Sequence, residues 1–208
     1  RHAGWCIVCV GESQVGRLLD RYGEVFHAKD SKWVAKMTWA PCVVHRNGKF
    51  YLYYGDANSG GIGVAVSDLP TGPYIDNHDR PVVGMDTPGV LLYDENNRCI
   101  KNKKGVPGAI SGSENWGMWC FDPCVFVDDD GQAYMYFGGA HPDNSRIIKL
   151  KENMTEVDGS AVKPNTPGFF EASFVHKYRG KYYLSYAGHY FGKPANIEYV
   201  MSDKIGRA

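Results

Sequence analysis

Along this chain apolar and polar residues alternate with a period of two in short runs, and no segment carries a long helical period. Cys42 to Arg46, Phe50 to Gly55 and Ile62 to Ser67 are rich in β-branched and aromatic residues, with Asn47-Gly48 and Ser59-Gly60-Gly61 between them as hairpin turns. A second group follows at Cys124 to Val127, Gln132 to Phe137 and Arg146 to Leu150, with Asp128-Asp129-Asp130-Gly131 as its first turn. A third comprises Ser173 to Lys177, Lys181 to Ala187 and Asn196 to Ser202, with Tyr178-Arg179-Gly180 as its turn. The pattern predicts an all-β protein of antiparallel hairpins.

The three groups are versions of one another. Trp39-Ala40-Pro41-Cys42-Val43-Val44-His45 leads to Gly48-Lys49-Phe50-Tyr51-Leu52-Tyr53-Tyr54. Phe121-Asp122-Pro123-Cys124-Val125-Phe126-Val127 leads to Gly131-Gln132-Ala133-Tyr134-Met135-Tyr136-Phe137, and Phe170-Glu171-Ala172-Ser173-Phe174-Val175-His176 leads to Gly180-Lys181-Tyr182-Tyr183-Leu184-Ser185-Tyr186. A several-stranded repeat of roughly fifty residues is the size of a β-propeller blade, so the pattern predicts an incomplete β-propeller of about three blades. The longer interval between the first two copies holds an insertion. Asp94 to Arg98 and Lys101 to Gly105 read as an extra hairpin or long loop, followed by the glycine-rich Gly112 to Gly117.

Two copies carry an acid, Asp122 and Glu171, where the first carries Ala40. In a propeller the first strand of each blade lines the central channel, so the same repeat position recurs around one axis. Asp122 and Glu171 are therefore expected to face each other near one mouth. Glycoside hydrolysis uses such a pair, one acid protonating the leaving oxygen while a carboxylate activates water or attacks the sugar. A neighbouring anion helps to keep one of them protonated near neutral pH.

Composition narrows the partners. The chain has 208 residues, 43% of them hydrophobic, and its 23 basic and 23 acidic residues balance without a long run of either sign. Nothing supplies the basic footprint that nucleic acid or an anionic membrane requires, and no apolar stretch is long enough to span a bilayer. A neutral partner fits better, and a glycosidase-type acid pair would make it an oligo- or polysaccharide; no protein partner is implied. Six cysteines do not make a disulfide scaffold here, and Cys6-Ile-Val-Cys9 lacks a second pair at zinc-finger spacing. Cys42 and Cys124 share a repeat position suited to core packing. Asp128 to Asp130 lack the alternating ligands of a calcium loop and read as a solvated turn. His45 and His176 read as packed or hydrogen-bonded side chains, and Asn153-Met154-Thr155 is too common a pattern to argue for secretion.

From about residue 33 onward the motifs quoted above, with Gly63-Val-Ala-Val-Ser-Asp-Leu-Pro-Thr-Gly-Pro-Tyr74, resemble the five-bladed β-propeller glycosidases of glycoside hydrolase family 43. The family includes α-L-arabinofuranosidases, β-xylosidases and arabinanases. The resemblance implies that Glu171 is the general acid and that Asp122 tunes and orients it. Trp39, Trp116, Trp119, Phe121 and Phe170 flank the inferred mouth as candidate sugar contacts, Trp116 and Trp119 above the rest. It implies no required cofactor and admits a structural metal ion in the channel. The run from Glu171 to Lys177 leans toward members acting on xylan and its arabinose branches.

Family members also use an aspartate opening the first blade as general base for inversion, and no second Asp-Pro strand lies before Trp39. Residues 1–32 read as a poorly assignable remnant of a preceding blade, residues 33–208 as a partial propeller domain. The start at Arg1, with neither initiator Met nor signal-peptide pattern, and the end at Ala208 inside a recurring motif suggest an excised piece. Such a piece is expected to be weakly active or inactive. The substrate class favours a secreted or periplasmic setting, while the chain carries no address of its own. A non-catalytic carbohydrate-binding propeller remains the alternative, since fold alone does not settle function. An interaction scaffold is disfavoured because Trp-Asp and Kelch-type punctuation is absent, and a lectin sandwich because equivalent acids recur in consecutive units.

Overall fold

The structure, a computed structural model, describes residues 23–34, 37–56, 60–101, 105, 117–139, 144–189 and 194–206. Its strands form three antiparallel sheets. Sheet I consists of β1 (Thr38–Arg46), β2 (Lys49–Asp56) and β3 (Ile62–Ser67) in that order. Sheet II consists of β4 (Cys124–Val127), β5 (Ala133–Phe137), β6 (Arg146–Leu150) and β7 (Val157–Val162). Sheet III, in the order β10-β9-β8, is built from β8 (Phe169–Tyr178), β9 (Lys181–Gly188) and β10 (Asn196–Ser202). Two-residue turns close the first hairpins of sheets I and III, with positive φ at Asn47 (50°) and Gly48 (76°) and at Arg179 (49°) and Gly180 (76°). Positive φ at both central residues matches the right-handed twist of the flanking strands.

Every strand expected from the alternation is present. β7 is the addition. Its sequence, Val-Asp-Gly-Ser-Ala-Val, has weak β propensity and an exposed middle, so alternation does not reveal it. It is an edge strand, held to β6 on one side and to the run after sheet I by the Ala161 amide donating to Pro88 O at 2.7 Å. The expected extra hairpin is also present in part, as a bridge between Tyr93 and Cys99 around the Asp94 to Asn97 turn.

The sheets stack face to face, and alternation in β5 shows how. Ala133, Met135 and Phe137 join Val44, Tyr53, Val64 and Val125 in the core between sheets I and II. Tyr134 and Tyr136 point the other way, into the core formed with Val175, Leu184 and Tyr186 of sheet III. A strand buried on both faces in this way has no polar side left, as its sequence Ala-Tyr-Met-Tyr-Phe requires. The first strands of neighbouring sheets lie side by side, β1 against β4 and β4 against β8. Among the described residues the sheets do not close into a ring.

The outer face of sheet I is covered by the chain itself. Val25, Phe26, Trp33 and Val34 pack on Leu52, Tyr54, Ala65 and Tyr74, and the Tyr74 amide donates to Val25 O at 3.2 Å. This stretch runs across the boundary expected at residue 33 and packs as one piece. Among the described residues the outer face of sheet III is left uncovered, with Ile197 77% and Tyr199 64% exposed.

Candidate active site

The site grows from a shared irregularity at the start of each sheet's first strand. One residue there adopts a left-handed backbone: Ala40 (φ 45°), Asp122 (φ 52°) and Ala172 (φ 59°). In sheet I Trp39 pairs with Gly55 and Cys42 with Tyr53, so Ala40 and Pro41 bulge out of the ladder. In sheet III Glu171 pairs with Ala187 and Phe174 with Ser185, so Ala172 and Ser173 bulge. A bulge bends the strand and re-aims the side chains around it. Proline suits the position because it has no amide to offer the ladder.

The register corrects one expectation from the repeat. Counted from the bulge, Asp122 is the counterpart of Ala40 and Ala172, whereas Glu171 is the counterpart of Trp39 and Phe121. Matching the copies on their leading aromatic residue hides this offset; matching them on the Asn47-Gly48 and Arg179-Gly180 turns exposes it. The two acids thus come from consecutive positions of the motif and not from the same one.

They nevertheless meet. Asp122 Oδ2 accepts a hydrogen bond from the Ala172 amide at 3.0 Å, so its carboxylate lies against the peptide that follows Glu171. Burial pushes the Asp122 carboxyl up to about 6, the Ala172 amide opposes that shift, and the negative charge of Glu171 adds to it. Burial also raises Glu171 above the ordinary glutamate value. Both carboxyl groups are thus held above their usual range, and the one on Asp122 stays protonated to about pH 6. Among the described residues, Glu171 is the one acidic side chain whose charge acts on Asp122.

The aromatic candidates separate. Trp39 is 43% exposed at the head of β1. Trp119 is half-buried and meets Phe121 edge to face, with centroids 5.2 Å apart. Phe121 is 5% exposed and wedged between strand ends. A β-carbon on Gly55 would stand 3.1 Å from Phe121 Cβ, and one on Gly139 would collide with its ring. Its face is used in packing and is not free to stack on a sugar, contrary to the expectation for this residue. Phe170 is half-buried beside Glu171, and Trp116 lies outside the described residues.

Other candidates resolve as packing or surface chemistry. Cys42 and Cys124 are buried and outside any disulfide, and the Val125 amide donates to Cys42 Sγ at 3.4 Å. His45 lies on Phe50 and His176 stacks on Tyr183, both at the surface. Asp128 does more than turn a hairpin. It accepts from Lys177 Nζ at 2.9 Å and from Tyr182 Oη at 2.6 Å, while Lys177 also reaches Asp129 at 2.9 Å, which pins sheet III to sheet II. Among the described residues no group of three or more His, Cys, Asp or Glu side chains is placed to hold a metal ion.

Sequence reasoning missed Asn144, whose side chain is fully buried and donates to Gly117 O and Gly139 O, each at 2.9 Å. An isolated polar residue beside a turn carries no periodic signal. It also missed Asp76, which collects the hydroxyl of Tyr54, the Trp33 indole N–H at 3.1 Å and the His78 amide at 2.9 Å under the outer face of sheet I.

The model of glycosyl hydrolases family 43 matches residues 13–100 and 101–207. The chain belongs to glycosyl hydrolases family 43. Over 195 residues it is 40% identical to an arabinoxylan arabinofuranohydrolase of Paenibacillus polymyxa, covering 83% of this chain and 26% of that protein. A xylosidase/arabinosidase of Humicola insolens is 31% identical over 214 residues, covering 80% of this chain and 55% of its own length. Among solved structures, an α-L-arabinofuranosidase from Clostridium thermocellum superposes with a TM-score of 0.71 at 50% identity, covering 88% of this chain and 53% of that one. The family 43 chain thus spans between a quarter and somewhat over half of the length of these relatives.

Proposed function

We propose that this family 43 chain is the acid-bearing part of a glycosidase that hydrolyses O-glycosyl bonds of arabinoxylan- or xylan-type oligosaccharides with inversion. Glu171 acts as the general acid, and Asp122 raises its proton affinity and orients it. The observation that carries this reading is the contact between Asp122 and the Glu171–Ala172 peptide, with both carboxyl groups held above their usual range. Burial disfavours ionisation of both groups and the charge of Glu171 adds to this at Asp122, so a proton is retained here where an exposed carboxyl would have lost it. Glu171 then delivers it to the departing sugar oxygen, and the sugar's positive charge in the transition state faces an anionic pair. No cofactor takes part in this chemistry.

The stacking of β1, β4 and β8 supports an arrangement of blades around an axis, the partial propeller of about three blades. The relatives named as arabinofuranohydrolase and arabinofuranosidase support arabinose side chains as the group released. No general base is assigned among the described residues, and a chain without one is expected to turn over about 10² to 10⁴-fold more slowly than an enzyme holding both groups.

The test is release of sugar from chromogenic arabinofuranosides and xylosides and from arabinoxylan oligosaccharides. Glu171→Gln should lower the rate most on substrates with poor leaving groups, which depend most on proton donation. Turnover by the wild-type chain at the level of a full acid–base enzyme would show that the base is already present. Sugar affinity with no release of reducing ends that depends on Glu171 would replace this reading with the carbohydrate-binding one.

A further inference from the structure

The two carboxylates sit on bulges, and bulges are held by their surroundings. Gly139, just beyond the end of β5, lies between the residues that precede them. A β-carbon there would collide with the Phe121 ring and stand 3.3 Å from Phe170 O. Bare backbone at this point therefore sets how closely the heads of β4 and β8 approach. Gly138 beside it, at φ 117°, donates its amide to Phe121 O at 2.9 Å, which ties the residue before Asp122 to the end of β5.

One side chain grips Gly139. Asn144, fully buried, gives one amide nitrogen to both Gly139 O and Gly117 O, each at 2.9 Å. Gly117 opens the run Met118-Trp119-Cys120-Phe121 into Asp122, so the same nitrogen grips the approach to the acid and the spacer beside it. The backbone of Asn144 also abuts Gly138 so closely that a β-carbon on that glycine would overlap Asn144 O.

We infer that Asn144 is a positioning residue, fixing the separation of Asp122 and Glu171 through Gly139 and the aromatic residues that precede them. This rests on the glycosidase reading of that pair and adds the element that sets its geometry. Asn144 touches neither carboxylate; it acts by holding the backbone that carries them.

The experiment is a carbon-13 NMR titration of the Asp122 carboxyl in the 208-residue chain, with thermal melts run alongside. Asn144→Ala should move the Asp122 midpoint down by about one pH unit or more, because a loosened head of β4 gains water and distance from Glu171. Gly139→Ala should move it as well by forcing the Phe121 ring away, and the double variant Gly139→Ala, Phe121→Leu should recover it, since leucine lacks the ring atoms that the new methyl meets. Tyr53→Phe controls for stability alone: it removes the buried hydrogen bond to Met154 O at 2.7 Å, and should lower the melting temperature without moving Asp122. Should Asn144→Ala fail to fold, the Gly139 pair decides by itself. An unmoved midpoint, no recovery in the double variant, or an equal shift in Tyr53→Phe would overturn the inference. Failure of the glycosidase reading shows separately, as sugar release that does not depend on Glu171 while Asp122 still responds to these substitutions.

Discussion

At the residue scale the informative group is Asp122, an acid placed where burial and an anion both oppose its ionisation. Its folded value of about 6 lies above the ordinary 3.8, so the folded chain holds this proton more tightly than the unfolded one. The resulting contribution to stability is present in full below pH 3.8 and is lost as pH rises through about 6. Asp122→Asn, which keeps an acceptor for the Ala172 amide, should therefore stabilise the chain by about 1 to 3 kcal/mol above pH 7, with the gain shrinking toward pH 4. Melting temperatures of both proteins across that range check it. A constant difference at all pH values would mean that the carboxyl is not held up by its surroundings. Stability lost to a functional group in this way is a common trade-off at active sites.

At the scale of elements, the sheets are joined by a few buried polar anchors as well as by apolar packing. Asp76 is the clearest: Tyr54, Trp33, Ser31 and the His78 backbone all donate to a side chain with 4% residue exposure, so one carboxylate adds a polar tie between sheet I and the segment from Val25 to Val34. Asp76→Ala leaves these donors buried without an acceptor and should cost about 3 kcal/mol, while Asp76→Asn, which retains an oxygen, should cost less. Urea denaturation measures the loss, and hydrogen exchange should show the 25–34 segment opening first. The same scale shows what the sequence made legible. Hairpins with Asn-Gly and Gly turns announce themselves because their backbone needs positive φ, and their strands announce themselves by alternation. β7 does not, because Gly159 and an exposed Asp158 are tolerable only on an edge whose place is set by β6 and Pro88. The acids were legible as a pair, but their one-residue offset was not. A bulge changes the phase of a strand without changing its residue types.

At the scale of the whole molecule, each sheet needs both faces covered or wetted. Sheet II is covered by I and III, and sheet I by the 25–34 segment. Sheet III instead presents Phe174, Ile197, Tyr199 and Met201, each more than two-fifths exposed, and among the described residues its edge strand β10 is unpaired on one side. An apolar face beside an open edge favours self-association. The 208-residue chain should therefore associate as concentration rises, and Ile197→Lys with Tyr199→Lys should keep it monomeric with sheets I and II unaffected. Sedimentation velocity and the cooperativity of unfolding report the two halves of that expectation. An associating double variant would place the sticky surface elsewhere.

The sequence by itself determined the all-β class, the three related units, the strand and turn positions and the two acids worth watching, because alternation, turn chemistry and repetition are local properties of a chain. Only the tertiary structure decided that Asp122 lies against the peptide following Glu171 from an unequal position, that Phe121 is packed and not presented, and that Asn144 and Asp76 are anchors. Those outcomes depend on bulge phase, burial and donors brought from distant segments, and no local pattern encodes which buried groups will share a proton or a hydrogen bond.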